Sequence, residues 1–148
     1  MRIARLTRAR ENGARERAEA LELDARLGVI GDYKGEKDGS VSLLSGEAED
    51  EIAKIGGLCT AKFAANIVTN GLDYGLLTAG DRLIVGTCEL SLTRVGKPCY
   101  EACPIAQTGR ICPLPENCAF AQVTRGGEIQ VDDEIMHTSN ENDTRENR

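Results

Sequence analysis

This chain of 148 residues has no tryptophan, two phenylalanines and three tyrosines, so aromatic residues make up only 3% of it. A core must therefore be built from aliphatic side chains, and nucleic-acid modules that stack bases on aromatic–basic clusters are disfavoured. Histidine is almost absent as well. His137 is the only one and stands near the end of the sequence, which argues against His-based acid–base or Cys–His catalysis. No apolar run approaches the ~18 residues needed to span a bilayer, and the arginine-containing start lacks the apolar segment of a secretion signal. The expectation is a cytoplasmic protein with no membrane and no nucleic-acid partner.

What is present is glycine, cysteine and unevenly placed charge. Sixteen glycines punctuate the chain, which favours short strands over long helices. The net charge is −6, but residues 1–19 carry six arginines against three glutamates, leaving the remainder at −9. The simplest reading of those arginines is solvated strand and loop positions, with attraction of an anionic small molecule as the alternative. Six cysteines in a reducing compartment read as thiols, ligands or redox groups and not as a disulfide framework.

Alternation and turn signals place the elements. Met1 to Thr7 reads as a first strand and Ala18 to Val29 as a second, followed by a glycine-rich loop from Gly28 to Gly39 and a short strand from Ser40 to Leu44. Ser45 is suited to cap a helix whose Glu47, Glu49 and Asp50 favour its positive end, with Ala48, Ile52 and Ile55 on one face and Gly56-Gly57 as its stop. Arg82 to Val85 reads as a strand. Ala119 to Thr124 and Glu128 to Val131 read as a hairpin about Arg125-Gly126-Gly127. Residues 1–137 form one domain, and 138–148 read as a polar, disordered tail.

The stretch carrying most chemistry runs from Cys88 to Cys103. Cys88, Leu90 and Leu92 alternate with Glu89, Ser91 and Thr93 as in a half-buried strand, Gly96 breaks it, and Pro98 fixes the backbone before Cys99. Arg94 and Lys97 favour the thiolate of Cys99, the nucleophilic and metal-binding form. Cys103, four residues on, shares a face with Cys99 if the turn is helical and would then be a resolving thiol, with a structural thiol as the alternative. Cys99, Cys103, Cys112 and Cys118 lack a C-x2-C pair, so a zinc or iron–sulfur module is the weaker reading. Cys59 and Cys88 are read as core residues. Gly31-Asp32 suits either an anion-binding loop or a plain turn. Asn66, in an apolar stretch, needs hydrogen bonds from the backbone or from a ligand.

Taken in order, Gly28-Val-Ile-Gly31-Asp32, Val41-Ser-Leu-Leu44, Ala65-Asn66-Ile67, Leu77-Thr-Ala-Gly80-Asp81-Arg-Leu83, Leu92-Thr93-Arg94 and Lys97-Pro98-Cys99 resemble the MOSC domain family, named for the C-terminal part of molybdenum cofactor sulfurases. Gly127 to Ile135 is similar to the end of small stand-alone bacterial members. The resemblance implies a mainly β fold, a MOSC-like β-barrel with a few short helices. It also implies a functional Cys99, acting as persulfide acceptor or as the thiolate ligand of molybdenum. Cys99 and Cys103 are thus the candidate catalytic residues, Cys103 on its spacing from Cys99, and Gly31, Asp32, Asn66, Arg94 and Lys97 are candidate contacts for molybdenum cofactor. A cysteine desulfurase or a molybdoenzyme is the implied partner. The alternatives are a molybdenum-cofactor-dependent reductase of N-hydroxylated compounds and a non-enzymatic zinc or iron–sulfur module.

Overall fold

The computed structural model describes residues 1–9, 15–32, 39–48, 65–96 and 117–139. Eleven strands run through them: β1 (Arg2–Ala9), β2 (Arg15–Ala18), β3 (Ala20–Asp24), β4 (Gly28–Val29), β5 (Ser40–Ser45), β6 (Ile67–Asn70), β7 (Arg82–Val85), β8 (Cys88–Val95), β9 (Cys118–Arg125), β10 (Gly127–Gln130) and β11 (Ile135–Thr138). A 3₁₀ turn, Tyr74–Leu76, lies between β6 and β7 and is capped by Asp73, whose carboxylate accepts from the Gly75 N–H. The fold is mainly β, with the larger sheet curled into a half-barrel.

That sheet has eight strands in the order β11-β7-β8-β9-β5-β6-β1-β2, and a smaller one has the order β10-β3-β4. Every pairing in both is antiparallel except β5 with β6. Parallel neighbours need a crossover, and the chain between them opens with a helical turn at residues 46–48. Ser45 caps it: its hydroxyl accepts from the Ala48 N–H at 3.2 Å, the bond expected of an N-cap serine to the third helical residue. The rest of the expected helix lies outside the described residues, as does the tail beyond Ser139.

The curl is closed at one corner by backbone bonds between the two ends of the chain. Ile3 N–H donates to Asp133 O (3.0 Å), Asp132 N–H to Ile3 O (2.9 Å) and Ile135 N–H to Met1 O (2.9 Å). Inside the curl sits one aliphatic core that includes Ile3, Leu6, Val41, Leu43, Ile67, Leu83, Leu90 and Leu92 from the large sheet and Leu21, Leu23 and Ile129 from the small one. Burial of each such side chain contributes about 1.5–3 kcal/mol.

Two expectations change. Ala119 to Thr124 and Glu128 to Val131 do not form a hairpin: β9 pairs with β8 and β5, whereas β10 leaves for the other sheet and pairs with β3. Gly126 makes the parting feasible, because a side chain there would meet Leu23 O at 2.5 Å. The single strand expected over Ala18 to Val29 is divided into the end of β2, then β3 and β4, by a bend at Glu19 and a turn at residues 25–27. In that turn Asp24 accepts from the Arg26 and Leu27 N–H groups, and those two bonds hold its carboxyl below the usual range. Arg15 to Ala18 joins β1 as an edge strand, with Arg8 and Glu16 paired across it at 2.8 Å.

Candidate functional site

Strand β8 is as the alternation required: Cys88, Leu90 and Leu92 are buried and Glu89 and Ser91 half-buried. A bulge between Leu92 and Arg94 then shifts the register, and Arg94 emerges exposed while Val95 turns back against the core. Gly96 ends the strand with φ +85° and donates its N–H to Cys118 O at 2.8 Å. The chain thus leaves β8 from a backbone fixed on both sides: by β7 through Arg82↔Ser91, and by β9 through Val95↔Ala119. Lys97, Cys99 and Cys103 come next and lie outside the described residues, as do Cys59 and Cys112. Cys88 is a core residue, and burial pushes its thiol up from the ordinary range. Cys118 is fully buried on β9.

Of the remaining sequence candidates, the structure brings Asp32 and Asn66 together. Asn66 immediately precedes β6 and is 3% exposed; Asp32, in the turn after β4, is 2% exposed. Asn66 Nδ2 donates to Asp32 Oδ1 (3.1 Å) and to Thr7 O (3.2 Å), and its Oδ1 accepts from both the N–H and the hydroxyl of Ser42 (3.1 Å each). Ser42 Oγ in turn accepts from the Asn66 N–H at 3.0 Å, and Asp32 Oδ1 accepts from the Ala9 N–H at 2.5 Å. Thr7 completes the group by donating its hydroxyl to Ala65 O at 2.7 Å. Three segments that are distant in sequence, the end of β1, the turn after β4 and the middle of β5, are therefore joined through one carboxamide.

Glycines set that turn in place. Gly28 (φ +74°) and Gly39 (φ +77°) face each other so closely that a side chain on Gly28 would stand 2.7 Å from Gly39 O. Gly31 (φ +91°) lies against the Arg8 side chain, at ordinary contact distance for an added carbon. Its role is conformational: it turns the chain so that Asp32 enters the interior.

Arg94 does not join this group. It stands opposite Phe120, which stands opposite Ser42, so two strand spacings, about 10 Å of backbone, separate it from Ser42. The described members of the expected cofactor set thus do not converge: Gly31 and Arg94 lie on the surface, and Asp32 and Asn66 are tied to each other inside. On that arrangement Asp32 and Asn66 are bonded to protein groups, and the described residues alone do not assemble a cradle for a pterin. Among the described residues no group of three or more His, Cys, Asp or Glu side chains is placed to hold a metal ion.

Sequence reasoning missed one pairing. His137 Nε2 lies 2.7 Å from Asp81 Oδ2, which also accepts from the Thr78 N–H at 3.1 Å. The carboxylate is 4% exposed and the imidazole 21%. Asp81 precedes β7 and brackets Leu92 through Leu92 N–H→Asp81 O (2.8 Å) and Gly80 N–H→Leu92 O (2.7 Å). His137 thus ties edge strand β11 to the turn that braces β8. The available signal was Ile135 two residues before it, which marks an inward-facing strand position.

The family model of the MOSC domain matches residues 31–136. Similar solved structures include YuaD from Bacillus subtilis, with 20% identity, 93% of this chain and 95% of that one covered, and a TM-score of 0.69. YiiM from Escherichia coli aligns with 20% identity over 94% of this chain and 70% of its own, at a TM-score of 0.60. YiiM from Geobacillus stearothermophilus aligns with 12% identity over 93% and 73%, at 0.55. No curated protein matches the sequence. No helix among the described residues is long and apolar enough to cross a membrane. With more than two thirds of its length matched by the family model and the curled β fold in place, the chain belongs to the MOSC domain family.

Proposed function

We propose that this protein is a sulfur carrier of the MOSC type, in which Cys99 accepts a sulfane sulfur and passes it on. The observation that carries this reading is the strand leading to it. β8 is buried along one face, clamped by β7 and β9, and ended at Gly96 by a bond to Cys118 O, and three residues later the sequence places Pro98-Cys99. A loop on a firm scaffold is where reactive groups are carried. Arg94 is exposed at that end of the strand and, with Lys97, would favour a thiolate.

The step balances without a redox partner. The Cys99 thiolate attacks the terminal sulfur of a donor persulfide, a sulfur–sulfur bond forms to Cys99, and the donor's own sulfur–sulfur bond breaks. The donor leaves as a thiolate and takes up the proton released from the Cys99 thiol. A cysteine desulfurase, which carries such a persulfide, is a donor class that suits this chemistry, and a molybdoenzyme is the acceptor class suggested by the family. The family is associated with molybdenum-cofactor proteins, and the sulfur transfer itself runs on thiols alone.

The test is sulfur loading. Protein incubated with a cysteine desulfurase and free cysteine should acquire cyanide-reactive sulfane sulfur near one equivalent, and Cys99→Ser should acquire none. Equal loading of the two proteins would refute the assignment.

A further inference from the structure

We infer that Asn66 is a positioning residue, a closed junction that holds the Asp32 turn against β1 and β5, and not a contact for a pterin or phosphate ligand. This deepens the proposed reading, since it concerns which residues of the same domain are left to meet a ligand. A carboxamide offers two donor hydrogens and two acceptor lone pairs. In Asn66 all four have protein partners: Thr7 O and Asp32 Oδ1 for the hydrogens, and the Ser42 N–H and hydroxyl for the oxygen. A ligand could reach the amide only by displacing one of these, at a position 3% exposed, and the displaced group would then lack a partner.

The orientation of the amide is not interchangeable. With oxygen and nitrogen exchanged, the oxygen would face two acceptors, Thr7 O and the Asp32 carboxylate, while the NH₂ would face the Ser42 N–H. The network therefore selects one arrangement, and that arrangement commits Asp32 Oδ1 to Asn66 and to the Ala9 N–H.

The full chain is compared with Asn66→Ser, Asn66→Asp and Ser42→Ala by thermal unfolding. Each protein is also titrated with molybdopterin released from a molybdoenzyme, followed by pterin fluorescence. Asn66→Asp keeps acceptors for Ser42, loses both donors and sets a second carboxyl beside Asp32. Repulsion between them favours protonation of one, which would restore a donor. Its melting temperature should therefore lie well below wild type at pH 7 and recover part of the gap at pH 5, an acid-side gain that wild type lacks. Asn66→Ser should melt lower, with pterin affinity within twofold of wild type, or with no binding in either. A tenfold loss of pterin affinity in Asn66→Ser at unchanged melting temperature would overturn the inference, as would an Asn66→Asp protein of wild-type stability at pH 7. If Asn66→Ser does not fold, Ser42→Ala decides, because it removes one partner and should lower the melting temperature without altering pterin binding. None of these outcomes depends on sulfur loading at Cys99, so the two claims fail separately.

Discussion

Replacing His137 by alanine removes a close partner from a nearly buried carboxylate. Asp81 keeps the Thr78 N–H at 3.1 Å and loses the imidazole at 2.7 Å. Leaving a buried acceptor short of a partner costs about 1–3 kcal/mol, and the partial access left by a 21%-exposed ring places the loss toward the lower half. For a chain of this length each kcal/mol lowers the melting temperature by about 2–4 °C, so His137→Ala should melt roughly 2–8 °C below wild type. Asp81→Ala should cost more, since the turn at Thr78 loses its bond too. A double-mutant cycle separates the shared part. Because both residues sit on one bond, their coupling should be at least about 1 kcal/mol, measured by urea unfolding at pH 7. Coupling under about 0.3 kcal/mol, within ordinary additivity error, would refute the view that this pair pins β11 to the turn bracing β8.

Two further outcomes follow from local geometry. Gly28→Ala sets a carbon 2.7 Å from Gly39 O at φ +74°, so backbone must move and the loss should be about 2 kcal/mol or more; an unchanged urea midpoint would contradict the close approach of the two turns. Tyr74 is 2% exposed, bonded to Thr69 Oγ1 at 2.8 Å, and burial raises its phenol far above the ordinary value. An acid whose folded pKa is raised lends stability below its unfolded value and loses it as pH climbs. The native protein should therefore keep one tyrosine un-ionised above pH ~10 in an ultraviolet titration, and Tyr74→Phe should remove that late fraction.

The fold was legible where one face of a strand is apolar. Cys88, Leu90 and Leu92 announce β8, and Val41 and Leu43 announce β5, because a period of two has one simple interpretation. Ser45 announced its cap for the same kind of local reason: the hydroxyl–N–H bond lies within three residues. Partnership was not legible. β9 and β10 are separated by one residue yet belong to different sheets, and nothing in Arg125-Gly126-Gly127 distinguishes a parting from a hairpin. Likewise Asn66 was recognisable as a polar residue needing partners, but not that Ser42, Thr7 and Asp32 supply all four bonds. His137 and Asp81 are 56 residues apart, and a lone histidine near a polar terminus carries no sign of its partner. Long-range pairing depends on how the sheet curls, and that is a property of the whole core.

The Cys99 Sγ is the atom on which the sulfane sulfur should be carried. Peptide mass spectrometry of protein purified under anaerobic, non-reducing conditions from its own host measures this directly. The prediction is one added sulfur atom on the peptide containing Cys99, removed by cyanide and absent in Cys99→Ser. An unmodified Cys99 peptide that stays unmodified after exposure to a loaded cysteine desulfurase would contradict it.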